Sequence, residues 1–281
     1  MKRLIVFCLM AVLAGSFNSS VFAQIVEAPP LIEPFEREAV PNAEPVPYTH
    51  LREADVMWSK TIWRVIDLRE KINQPLYYPM KPINNRKNLM TVIMEGLQED
   101  MLKAYDTDQL NILKTYDEVM ASLQREDSIT LFRDYPPYEP FDTLIKTEFD
   151  PSTVMMFRLM EVWFFDKQRS VIECRIQAMC PVTIEYDEYG EFKGFKPLFW
   201  IYFPEARKIF AKNDVFNRQN DVERRSLDDI FFKRMFNSYI YKESNVYDRF
   251  INEYTGGLDA LLESERIKND IFVLEHDLWE Y

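Results

Sequence analysis

Residues 171–186 read Val-Ile-Glu-Cys-Arg-Ile-Gln-Ala-Met-Cys-Pro-Val-Thr-Ile-Glu-Tyr, and this stretch decides the fold class. Ile172, Cys174, Ile176, Ala178, Cys180, Val182, Ile184 and Tyr186 occupy the even positions, while Glu173, Arg175, Gln177, Thr183 and Glu185 take most of the odd ones. Alternation with a period of two marks a half-buried strand with an apolar face. Both thiols fall on that face. Six residues of strand hold Cys174 and Cys180 roughly 20 Å apart, whereas a disulfide needs its alpha carbons within about 7 Å. Unless the chain folds back between them, they are reduced core cysteines with no disulfide. A metal pair fails on the same distance.

A strand needs partners, and the flanks supply them. Met155–Phe165 and Phe195–Phe203 have the same strand-like composition, with Gly190 and Gly194 bracketing the turn before the latter. The run Phe-Lys-Pro-Leu-Phe-Trp-Ile-Tyr-Phe at 195–203 is apolar on both faces, as for a central strand or one covered by a partner. Further upstream, Leu51–Asn73 reads as a long helix stopped by Pro75. At helical spacing Trp58, Ile62, Val65, Ile66 and Ile72 form one stripe, with Arg69 in its middle as a candidate for a buried ion pair. Trp63 lies on the flank, either a second packing layer or a contact for another chain. Helices follow at Leu89–Met101 and about Asp108–Leu123. The run Asp-Tyr-Pro-Pro-Tyr-Glu-Pro-Phe-Asp at 134–142 is a candidate subdomain boundary.

Downstream, Pro204 opens a short helix, Phe-Pro-Glu-Ala-Arg-Lys-Ile-Phe. Ser226 and Asp229 form a capping pattern before a helix bearing Leu227, Ile230, Phe231, Phe232, Met235, Phe236 and Tyr239. Those side chains cover more than half its circumference, so it is buried either between layers of one domain or in a subunit contact. A last helix runs from Gly257 to about Ile271, with Leu258, Leu261 and Leu262 on a shared face, and an acidic aromatic tail containing Trp279 ends the chain. The expected architecture is α+β: N-terminal helices, then a mixed or antiparallel sheet, then C-terminal helices.

The first 23 residues carry Lys2 and Arg3, an apolar run Leu4–Leu13 and a small residue at Ala23, the pattern of a secretory signal peptide cut after Ala23. Removing it changes the formal charge from -12 to -14, because only Lys2 and Arg3 are charged within it. Residues 24–48 hold six prolines, five glutamates and one arginine, and read as an extended acidic arm, either a tether or a segment that orders on a neighbouring subunit. The domain proper is residues 49–281.

Composition removes many chemistries. Six glycines in 281 residues leave no phosphate loop or dinucleotide fingerprint, and two histidines give triads and zinc sites little to be built from. The negative charge repels nucleic acid. Glu161, Asp166 and Glu173 are the best constellation for an enzyme, a glycan hydrolase using paired carboxylates. Asp214, Asp221, Asp228 and Asp229 lack the alternating calcium-loop spacing. His276, between Glu275 and Asp277, reads as a salt-paired surface residue. No cofactor, metal or small-molecule substrate is expected.

Several segments in order carry a family resemblance: ADVMWSKTIWRVIDLREKIN followed by YYP, then EVWFFDKQRSVIE, FWIYFPEAR, DIFFKRMFNSYIYKESNVYDR, LLESERIK and EHDLWEY. From about residue 49 onward the chain resembles the gliding-motility protein N family, GldN or PorN. The resemblance implies a non-enzymatic periplasmic component of the type IX secretion system of Bacteroidetes. Such proteins associate with a GldK or PorK lipoprotein in a large ring under the outer membrane and contact the periplasmic part of GldM or PorM. No family catalytic residues accompany it. The candidate contacts are Trp63, Phe232, Phe236, Trp279 and the 24–48 arm.

Overall fold

The computed structural model describes residues 43–83, 86–123, 125–132, 140–147, 149–186, 191–220 and 222–278, with side chains left undescribed over 125–147. The first element is a strand, β1 (Val56–Asp67). Next come α1 (Gln74–Tyr77), α2 (Leu89–Gln98), β2 (Ala104–Tyr105), β3 (Leu113–Lys114) and α3 (Tyr116–Leu123). β4 (Arg125–Phe132) and β5 (Pro140–Thr147) form a separate hairpin, and most of the candidate boundary at 134–142 lies outside the described residues. The centre of the fold is β6 (Val154–Asp166), β7 (Val171–Tyr186), β8 (Phe192–Pro197) and β9 (Trp200–Tyr202). Then follow α4 (Phe203–Phe210), β10 (Asp214–Val215), β11 (Arg225–Ser226), α5 (Leu227–Phe232), β12 (Tyr239–Glu243), α6 (Ile251–Tyr254) and α7 (Leu258–Asp277).

Among the described residues the main sheet runs β12-β1-β6-β7-β9-β2-β3, with β8 also on β7, and every pairing in it is antiparallel. The mixed α+β class and the C-terminal helices are as the sequence indicates. The helix expected over Leu51–Asn73 is instead the strand β1, second in the sheet. Trp58, Ile62 and Ile66 recur every four residues, a spacing that keeps one face on a helix and on a strand alike. The residues between them decide it: Trp63 and Val65 are buried on the opposite face, which a one-sided helix does not bury but a central strand does.

β7 has the length the alternation implied, but its two halves face opposite ways. Met160 pairs with Ala178 and Glu161 with Ile176, leaving Gln177 as the extra residue of a β-bulge. A one-residue shift exchanges the faces. Cys180 therefore packs with Trp63, Val65 and Val182, whereas Cys174 lies beside Glu161 on the other side. The expectation that the two thiols share a face is thus corrected. The stretch 195–203 also divides: β9 is buried between β7 and β2, while β8 lies exposed beyond them.

α2, α4 and α5 cover one face of the sheet. Their core joins Phe157, Leu159 and Met179 to Phe203, Phe210 and Phe231, whose rings meet at 5.4–5.9 Å between centroids. Gly96 of α2 permits this approach, since a β-carbon there would come 2.7 Å from Ile209. The Ser226–Asp229 capping box forms with both reciprocal bonds. Its helix stops at Phe232, so Tyr239 belongs to β12 and not to the helix. Farther along the same face, α6 and α7 bring Ile251, Ile267 and Ile271 against Ile62 and Ile240. Leu258, Leu261 and Leu262 of α7 are exposed.

Candidate interaction site

Below α5 the sheet buries a carboxylate. Glu161 is 0% exposed, and an ionised group there requires cations and donors. Arg234, just past α5, provides the first, with Nη2 donating to Oε1 at 3.0 Å and Oε2 at 3.1 Å. Its φ of 53° is the left-handed region, costing an arginine about 1–2 kcal/mol that the ion pair offsets. Arg64 of β1 is the second cation, its Nε 3.1 Å from Oε2 but off the hydrogen-bond direction. Burial pulls the Arg64 guanidinium below its ordinary pKa, opposed by the Glu161 charge. Trp163 Nε1 donates to Oε2 at 3.1 Å and its ring lies under both guanidinium groups. Cys174 completes the cluster, with burial and the adjacent carboxylate raising its thiol well above the usual range.

Above this cluster the chain entering from the arm is gripped between β7, α4 and α5. Arg207 of α4 forks onto Asp228 of α5, Nε to Oδ1 at 2.7 Å and Nη2 to Oδ2 at 3.0 Å, and both residues are buried. The same Nη2 donates to the Val46 carbonyl at 2.7 Å. Arg175 of β7 donates to the Thr49 carbonyl, also at 2.7 Å. Between these bonds, the Tyr48 ring lies 4.2 Å from the Arg207 guanidinium carbon and 5.0 Å from that of Arg175. Burial raises the Tyr48 hydroxyl pKa, with Arg207 pulling the other way. The last residues of the proline-rich segment are therefore held by main-chain carbonyls and one aromatic ring. A cavity of about 440 Å³ beside them is lined by Tyr48, Arg175, Phe232 and Arg234.

The candidate contact residues separate in this setting. Phe232 is 47% exposed at the rim, its ring centroid 6.4 Å from Tyr48. Phe236 is half-buried below, 5.7 Å from the Phe231 ring and under Arg234. Trp63 is only 9% exposed, with its indole donating to Asp108 and Lys242 over its ring, so it belongs to this chain's own second core. Trp279 lies outside the described residues. Arg69 is not a buried ion pair: it lies beyond the end of β1, its side chain 58% exposed, and forks onto Asp67 two residues back. Among the described residues the arginines buried in an ion pair are Arg64 and Arg207, while Arg234, its side chain 30% exposed, closes over Glu161 from the outside. Arg207 and Tyr48 carried no sequence signal of their own, because pairing across 21 and 159 residues is set by the fold.

The three carboxylates of the hydrolase alternative do not form one site, because Glu161 is separated from the other two. Glu161 is sealed beneath two arginines, and Glu173, paired with Phe164 three residues along β6, points to the opposite face. Asp166 and Glu173 are both bound by Arg169, and Asp166 is held below the usual carboxylate range chiefly by that hydrogen bond. Asp229 caps α5, Asp228 is taken by Arg207, Asp214 starts β10 and Asp221 lies outside the described residues. His276 Nδ1 is 3.9 Å from Asp277 Oδ1.

Among the described residues no helix is long and apolar enough to cross a membrane. No curated protein matches the chain. The family model described as "Gliding motility associated protein GldN" matches residues 51–280 and so covers the whole sheet, the buried charge cluster and the α4–α5 clamp. The chain belongs to the GldN gliding-motility family.

Proposed function

We propose that this protein is a non-enzymatic structural subunit of the type IX protein secretion and gliding machinery. In this reading it lies in the periplasm, reaches the outer membrane through a GldK/PorK-like lipoprotein, self-associates in a ring, and touches the periplasmic part of a GldM/PorM-like protein. The family match over 51–280 carries the proposal. The exposed Phe232 beside an arginine-rich cavity supports it, since aromatic and arginine side chains are enriched in interface cores. The separation of Glu161 from Asp166 and Glu173 speaks against the constellation on which a glycan hydrolase would rest.

Affinity purification of the tagged chain from a mild detergent extract of its own cells tests this. A lipoprotein should be recovered with it, and Phe232→Ala should lower that recovery with little change in melting temperature. Recovery of the chain alone refutes the proposal.

A further inference from the structure

On the side of the fold near α1 and β10, two adjoining cavities of about 390 and 610 Å³ share Pro75, Phe216 and Arg218. An isolated bridge from Arg86 to Asp214 fixes the wall, and the Arg86 guanidinium carbon lies 5.5 Å from the Phe216 ring centroid. The surface is apolar and open: Tyr78 is 51% exposed, Ile83 59% and Phe216 45%. It is also basic. Arg86 and Arg218 line it, and no described carboxylate lines either cavity. Neither arginine has a described carboxylate within ion-pair distance, whereas Arg225 at the far end is paired with Glu223. On a chain of formal charge -12 this is a local reversal of sign.

The chain itself contains a segment of matching chemistry. Residues 27–38, Glu-Ala-Pro-Pro-Leu-Ile-Glu-Pro-Phe-Glu-Arg-Glu, carry four glutamates against one arginine, three prolines, and Leu31, Ile32 and Phe35. Proline-rich segments dock into aromatic-lined grooves at low entropic cost because their extended form is already populated. Glutamates between the prolines would meet Arg86 and Arg218. Counted from Ala43, Glu38 is 5 residues away and Glu27 is 16, so at about 3.1 Å each the segment extends from roughly 15 to 50 Å from that point, enough to reach another molecule. Two copies of so acidic a chain repel each other overall, so self-association needs a complementary patch of this kind. A tail-into-groove contact is heterologous, the class that closes into rings.

We infer that the groove formed by Tyr78, Ile83, Arg86, Phe216 and Arg218 receives the acidic proline-rich segment 27–38 of a second copy of this chain. The inference rests on the self-association included in the proposed function and names the surfaces that produce it.

The test uses the chain from Gln24 to Tyr281 carrying benzoylphenylalanine in place of Phe35, mixed with an isotopically heavy copy lacking the probe. After irradiation, peptides are identified by mass spectrometry and association is followed by sedimentation. The expected result is a light-to-heavy cross-link onto the segments around Tyr78–Arg86 or Phe216–Arg218. Arg86→Glu with Arg218→Glu in the heavy copy should lower its yield by about tenfold or more, because like charges then face each other. Glu33→Arg with Glu36→Arg in the light copy should restore it. A cross-link confined to one copy, or failure of the charge swap to restore the yield, overturns the inference. Association without a cross-link to the groove also overturns it but leaves the ring reading standing. A chain that stays monomeric at high concentration and forms no cross-link removes this inference and the self-association reading together.

Discussion

Glu161→Gln isolates the energetics of the buried cluster. The replacement keeps the shape of the side chain but removes the one negative charge facing Arg64, whose side chain is only 7% exposed, and Arg234. It also sets an amide that itself donates against the guanidinium groups and the Trp163 indole. Leaving a buried cation without its partner costs about 3–5 kcal/mol. Against a total stability of about 5–15 kcal/mol, that is a large fraction. At about 2–4 °C per kcal/mol for a chain of this size, the melting temperature should fall by roughly 6–20 °C. Urea unfolding followed by tryptophan fluorescence and circular dichroism measures the change. Adding Arg64→Met to the Glu161→Gln variant should recover part of the loss, since an apolar side chain needs no counter-charge there. A loss below about 1 kcal/mol, or no recovery in the double variant, would falsify the view that the cluster is a compensated buried charge.

Three further outcomes follow from the packing. Trp63→Ala, at a buried position with a satisfied indole, should cost about 3–5 kcal/mol by chemical denaturation; an unchanged midpoint would return Trp63 to the surface. Burial pushes the Cys180 thiol up to about 12 and raises that of Cys174 well above the usual range, so both should react slowly with Ellman's reagent at pH 8 in the folded chain and rapidly in urea; rapid labelling of the folded chain would contradict this. Burial raises the Asp229 pKa, but hydrogen bonds from Lys233 and the Ser226 cap outweigh it, so the folded value is depressed. Its contribution is therefore present above the unfolded carboxylate pKa of about 3.9 and lost as pH falls through the lower folded value. Asp229→Asn should cost about 0.5–1 kcal/mol at neutral pH, discounted for its partial exposure, and the difference from the parent should shrink in acid; a pH-independent gap would count against the cap.

How much could be read along the chain depended on the range of the interaction involved. The Ser226 cap and the Pro204-led helix are set by neighbours within four residues, and both formed as expected. The helical pattern over β1 is ambiguous because residues four apart align on a helix and on a strand, and only the burial of Trp63 and Val65 on the second face separates the two. The exposure of Phe232 was not set by the helix pattern, because the surplus of apolar surface was counted with Met235, Phe236 and Tyr239 and the helix ends at Phe232. Nor were the arginines that grip Val46, Tyr48 and Thr49 within reach of the sequence, because their partners lie more than a hundred residues away in the chain.

By itself the sequence determined the mixed α+β class, with strands at 155–165 and 171–186 and helices at the C-terminal end, because local period and turn chemistry are written in adjacent residues. It also determined the family, through several ordered segments spread over the domain. Only the tertiary structure decided which arginines are buried, that Gln177 reverses the face of half of β7, and that a basic apolar groove stands open on an acidic chain. These are matters of which strands pair and in what register, and the free energy that fixes a register comes from contacts distant in sequence.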